Sequence, residues 1–155
     1  MRRGIVGVNF LRVRNNKAII GLLAAAAAGA FVFARLGSSV NMDESTAGVK
    51  RITDADFTNE VLRASGPVVV DFYATWCEPC KVLAPMLDRM AGNYTGRIKF
   101  VKVNVDESPA TAMACGIQPI PTLLFFTKGA VANAIVGLHE EAELKASLDA
   151  LAGAK

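Results

Sequence analysis

VVVDFYATWCEPCK, residues 68–81, joins two things that ordinary core sequence keeps apart. Val68 to Tyr73 is a β-branched, nearly continuous apolar run, the pattern of a strand buried on both faces. Yet it carries a carboxylate at Asp71, and Cys77 and Cys80 follow with only Glu78 and Pro79 between them. From Cys80 to about Asn93 the chain reads as a helix, with Val82, Leu83, Met86, Leu87 and Met90 on one side. Pro85 falls inside it and should kink it. Cys77 then stands at a helix N-terminus, where free N–H groups and the dipole stabilise a thiolate. The two-residue spacing lets Cys80 reach back and close a disulfide within one turn. A thiolate in such a pair attacks a substrate disulfide, a mixed disulfide forms, and the second thiol releases it.

Working outward, Thr53-Asp54-Ala55-Asp56 resembles a capping box, followed by Phe57, Val61 and Leu62 at helical spacing and closed by Gly66-Pro67. Ile98 to Val105 is a second β-rich run, and Pro109 to Ala114 a short helix. Thr122 to Phe126 and Ala130 to Val136 read as a hairpin around Lys128-Gly129. Leu144, Leu148 and Leu151 mark a last helix. The order helix, strand, helix, strand, helix, strand, strand, helix predicts an α/β fold. Parallel strands with crossover helices come first and an antiparallel hairpin last, giving a mixed β-sheet flanked by helices on both faces.

The 155 residues, 52% hydrophobic and 20% charged, hold one ordinary domain with a real core. The net charge of +3 is unevenly spread: residues 1–42 carry six basic residues and no acidic one. Residues 43–155 carry 11 basic and 14 acidic residues, so the globular part is mildly acidic and no nucleic-acid surface is expected. The three cysteines are too few for a secreted disulfide framework.

Residues 1–17 form a basic segment. Ala18 to Ala34, AIIGLLAAAAAGAFVFA, is 17 residues without a charge, the short end of the bilayer-spanning range. It reads as a transmembrane helix or signal-anchor. Five basic residues precede it and one follows closely, which keeps the N-terminus cytoplasmic and places the domain on the extracytoplasmic, periplasmic side. Ala28-Gly29-Ala30 has the form of a cleavage site, so a cleaved, secreted form is the alternative, with a mitochondrial address as another. Residues 35–50 read as a flexible linker and 51–155 as the domain.

The chain resembles the thioredoxin family. Trp76-Cys77-Glu78-Pro79-Cys80-Lys81 matches the family's WCxPCK motif, Val70-Asp71-Phe72 its buried acidic strand, Ile120-Pro121-Thr122 its cis-proline loop and Gly137 its late glycine. Pro85 looks like the proline that bends the family's active-site helix, and Lys102 falls where the family pairs a lysine with the buried aspartate. The resemblance covers about residues 48–153 and implies a thioredoxin fold and a thiol–disulfide oxidoreductase acting on protein disulfides. It implies that Cys77 is the exposed attacking nucleophile and Cys80 the buried resolving thiol. Asp71, with a raised pKa, then serves as base for Cys80 through water, beside Lys102. Pro121, if cis, leaves the Ile120 backbone free to pair with an extended substrate segment. Trp76 offers an apolar lip, with Pro79 and Gly137 completing the substrate surface. No cofactor and no metal are expected. The expected partners are protein disulfides and a thiol-reductase electron donor, membrane-bound or soluble, with the chain a monomer.

Glu78 departs from the glycine common at this position; an extra carboxylate disfavours the Cys77 thiolate and makes the pair more reducing. The Glu-Pro dipeptide also resembles membrane-anchored thioredoxin-like reductants of cytochrome c maturation, whose usual mid-fold insertion is missing here. A third reading is a non-catalytic thioredoxin-like binding module. Several plainer readings stand beside these. Cys77 and Cys80 form a permanent structural disulfide; Asp71 serves only as an ion-pair partner of Lys102; Cys115 is a packed hydrophobe or a regulatory thiol. Zinc would need four ligands, and three cysteines and His139 lie scattered. His139, the only histidine, reads as surface at the start of a helix.

Overall fold

The computed structural model describes residues 48–153. The basic segment, the apolar stretch 18–34 and most of the linker lie outside the described residues. Among the described residues, no helix is long and apolar enough to cross a membrane.

The described part opens with a strand that the sequence reading did not foresee, having divided its residues between linker and domain: β1, Val49–Ile52. Its ends are buried and its two middle residues, Lys50 and Arg51, face solvent. Four residues with that inside–outside order show neither alternation nor a continuous apolar run, which is why the pattern concealed it. Helix α1, Asp54–Phe57, follows, and the Asp56 carboxylate accepts from the Thr53 N–H at 3.0 Å and its hydroxyl at 2.8 Å. The helix then widens into a π-helical turn, Thr58–Leu62, where Arg63 N–H donates to the Thr58 carbonyl at 2.9 Å. Strand β2, Val68–Tyr73, leads into α2, Glu78–Asn93. Then come β3, Lys99–Asn104; α3, Pro109–Ala114; β4, Thr122–Thr127; β5, Ala130–Val136; and α4, Glu141–Gly153. Pro85 lies within α2, where its missing N–H removes one backbone bond.

The five strands form one sheet in the order β1-β3-β2-β4-β5. β1, β3 and β2 are parallel, while β4 runs antiparallel to both β2 and β5. The mixed sheet with helices on both faces is therefore as expected. One face packs Val69, Phe100, Leu123 and Phe125 under α2 and α4. The other packs Val68, Val70, Phe72 and Leu124 under α1 and α3, where Phe57 meets Phe126 edge-on at 6.0 Å. Side chains alternate along β2, so Asp71 shares the Val69 face and looks toward α2.

The β4–β5 hairpin turns through Lys128 and Gly129, both with positive φ (53° and 73°), as a two-residue turn of this hand requires. A Cβ on Gly129 would sit 2.3 Å from the Leu62 carbonyl oxygen at the end of the π-turn. Gly129→Ala should destabilise the protein by at least the ~1–3 kcal/mol of left-handed strain, with the clash adding to it. Urea unfolding checks this; an unchanged midpoint would mean that the hairpin and α1 do not meet as described.

Candidate functional site: a disulfide at a helix N-terminus

The site grows out of the central strand. β2 lies between β3 and β4, so the loop leaving its C-terminal end is flanked on both sides. Cys77 is the N-cap of α2, and Pro79 sits in the first turn, where its missing N–H would have had no helical partner anyway. Cys77 and Cys80 are joined by a disulfide, S–S 2.04 Å, and the Cys80 N–H points at Cys77 Sγ at 3.2 Å. That N–H is one of the unpaired donors of the helix start, aimed at the sulfur on which a thiolate would form.

In this oxidised form both cysteines are 4% exposed, packed with Ala74, Tyr73, Val105 and Ile120. The expectation of an exposed Cys77 is not met. Tyr73 and Ala74 just ahead of it in the chain cover it together with Val105 and Ile120, whose approach is set by the tertiary fold rather than by the local sequence. Trp76, next to Cys77 in the chain, is 66% exposed.

The proline loop reaches the same end of the sheet. Thr122, the first residue of β4, is opposite Phe72, so Ile120 and Pro121 project past the end of β2 toward the disulfide. The Ile120–Pro121 peptide is cis. Among the described residues, no partner meets the Ile120 N–H or carbonyl. Gly137, just beyond β5, donates its N–H to the Pro121 carbonyl at 2.8 Å.

Asp71 is 5% exposed, and its Oδ1 has no hydrogen-bond partner. Desolvation raises its pKa from 3.8 to about 7, the nearby negative charge of Asp88 adds to this, and Lys102 pulls against it. Lys102 stands beside Asp71 in register on β3, yet no ion pair joins them. Burial therefore wins over the lysine, and the reading of Asp71 as a plain ion-pair partner has no contact to support it.

Glu78 does not face the sulfurs alone. Its exposed carboxylate takes the Lys81 ammonium at 2.5 Å, an exposed pair that offsets only part of the charge added to the motif. Glu78→Gly frees Lys81 and removes a negative charge. It should raise the reduction potential by tens of millivolts at most, where ~30 mV corresponds to about 1.4 kcal/mol for this couple. Equilibration with glutathione measures it, and a downward shift would reverse the electrostatic argument.

Cys115 lies away from the disulfide, half-buried against the α1 and α3 face, and burial pushes its thiol up to about 12. It is a packed thiol rather than a ready nucleophile. The sequence reading missed Asp106. Its Oδ2 accepts the Trp76 indole N–H at 2.9 Å, and its own N–H is held by Asn104 Oδ1 at 3.1 Å. An Asp just after a strand was the only local signal, and the 30-residue gap to Trp76 hid the pairing. Among the described residues, no group of His, Cys, Asp and Glu could hold a metal ion.

The thioredoxin family model matches residues 48–150. The chain is similar to thioredoxin M2, chloroplastic, of Arabidopsis thaliana, with 43% identity over 68% of this chain and 57% of that protein. It is similar to thioredoxin M-type, chloroplastic, of Brassica napus at 40%, over 74% of this chain and 65% of that protein. The chain thus spans less than two thirds of each of these plant relatives. A thioredoxin of Pseudomonas aeruginosa is 45% identical over 66% of this chain and 94% of its own length. With the disulfide, the buried carboxylate and the proline loop at one end of a mixed sheet, the chain belongs to the thioredoxin family.

Proposed function

We propose that the protein is a membrane-tethered thiol–disulfide oxidoreductase that exchanges electrons with protein disulfides through Cys77 and Cys80. The carrying observation is the closed disulfide at the N-cap of α2, packed against Ile120. In the reduced form the Cys77 thiolate attacks a substrate sulfur, and that S–S bond breaks as a mixed disulfide forms. Cys80, losing its proton to Asp71, then attacks the Cys77 sulfur; the Cys77–Cys80 bond closes and the substrate leaves with two thiols. Lys102 tempers the charge of Asp71. The Ile120 backbone beside Pro121, with Trp76, Pro79 and Gly137, receives an extended substrate segment. A thiol reductase, membrane-bound or soluble, resupplies electrons, and the chain acts as a monomer.

The tether rests on the uncharged stretch 18–34 and the basic residues ahead of it, with the polar stretch from residue 35 up to the start of β1 at Val49 as linker and the domain outside the cytoplasm. Two measurements test the proposal. The reduced full chain should reduce insulin disulfides; no reduction would leave the binding-module reading. A membrane-impermeant maleimide should label reduced Cys77 in intact cells, and labelling only after lysis would remove the extracytoplasmic placement.

A further inference from the structure

His139 does not sit idle on the surface. Its Nε2 lies 3.0 Å from the Val136 carbonyl oxygen and its Nδ1 2.9 Å from Glu143 Oε2. Both neighbours are acceptors, and a neutral imidazole has only one N–H. Only the imidazolium makes both bonds; the neutral ring turns a lone pair toward one of the two oxygens. The ring thus staples the end of β5 to the first turn of α4. Between these anchor points lie Gly137, whose N–H holds the Pro121 carbonyl, and Leu138. Val136 and Leu138 are exposed apolar residues, 41% and 46%.

We infer that His139, as an imidazolium, is a positioning residue for the rim formed by Val136, Gly137 and Leu138, so that docking of a protein disulfide weakens when His139 loses its proton. The inference rests on the proposed role of Ile120, Pro121 and Gly137 as the substrate surface. The charged groups around the ring agree with it. Glu143 faces it from α4, β5 presents only a carbonyl, and of the flanking carboxylates Glu140 and Glu141 the second is engaged by Arg89 of α2 at 3.3 Å. Glu143 and the Val136 carbonyl both raise the imidazole pKa above its ordinary value. A base raised in this way keeps the staple below its ordinary pKa and loses it as pH rises through the raised one.

The chain has a single histidine, so its ring titration is read without ambiguity by proton NMR of the full chain. The Gly137 amide should shift along the same titration curve in wild type and stay flat in His139→Gln. With insulin as the protein disulfide, the KM of His139→Gln should exceed that of wild type about threefold at about pH 6, the size of an exposed charged pair. The ratio should approach one at about pH 9, with kcat alike throughout. A Gly137 amide indifferent to the histidine, a KM ratio that does not change with pH, or an effect confined to kcat would each overturn the inference. If neither protein reduces insulin at any pH, the proposed function itself falls, and this inference with it.

Discussion

Asp71→Asn should match wild type in stability at about pH 4 and exceed it by about 4 kcal/mol at about pH 9. The carboxyl titrates at 3.8 when solvated and at about 7 in the fold, and each unit between them is worth ~1.4 kcal/mol. An acid whose folded pKa is raised contributes fully below its unfolded value and loses that contribution as pH rises through the folded one. Wild type therefore weakens between pH 3.8 and about 7 and levels off above, while the amide variant lacks this slope. Turnover should fall at the same time, on the order of 10²-fold, because Cys80 loses the base that takes its proton during release of the mixed disulfide. Stability and activity thus move in opposite directions. Were Asp71 an ion-pair partner only, the amide would strand Lys102, lower stability and leave release untouched. Urea unfolding of the oxidised protein across pH, with single-turnover release kinetics, separates the two.

Replacing either cysteine of the motif should abolish turnover, but at different steps. Cys77→Ser removes the attacking sulfur; a hydroxyl forms no disulfide, so neither intermediate nor product appears. Cys80→Ser leaves the first step intact and removes the second, so substrates accumulate as mixed disulfides on Cys77. Non-reducing gels show the trapped species, and mass spectrometry names the substrates, including any apocytochrome that the cytochrome-maturation reading requires. Stable adducts on Cys115 instead would reassign the nucleophile, against a thiol that burial pushes up to about 12.

Much of this was legible in the sequence because the decisive signals are local. The apolar run of β2, the two-residue spacing of the cysteines, the leucines of α4 and the Lys128-Gly129 turn each lie within a few residues. The site residues named from the motif, apart from the lysine's missing ion pair, gather at one end of the sheet as their places on the strands require. What escaped depends on distance or on backbone subtlety. β1 has too few residues to show a period. The π-turn differs from a helix only by one step in its hydrogen bonds. The Asp106 anchor of Trp76 joins loops that follow two different strands. The Glu78–Lys81 pair lies within local reach, at three residues, but exposed charges at this spacing have many solvated alternatives. His139 looked like surface because its two acceptors, three and four residues away, meet the ring only through the shape of the turn between β5 and α4.

The parallel run of β1, β3 and β2 also decides at which pole of the sheet the domain begins. Val49 is level with Phe100, and Phe100 with Val69, so the chain enters β1 at the end of the sheet where β2 starts. The sulfurs follow the other end of β2, which at six residues is ~20 Å away. Anything attached ahead of Gly48 therefore joins the domain at the pole opposite the disulfide. Hung from an anchor at that pole, the domain would carry its reactive end outward, toward arriving proteins and away from the lipid. Linker length would then set how far from the bilayer it works, leaving the approach to the sulfurs unobstructed.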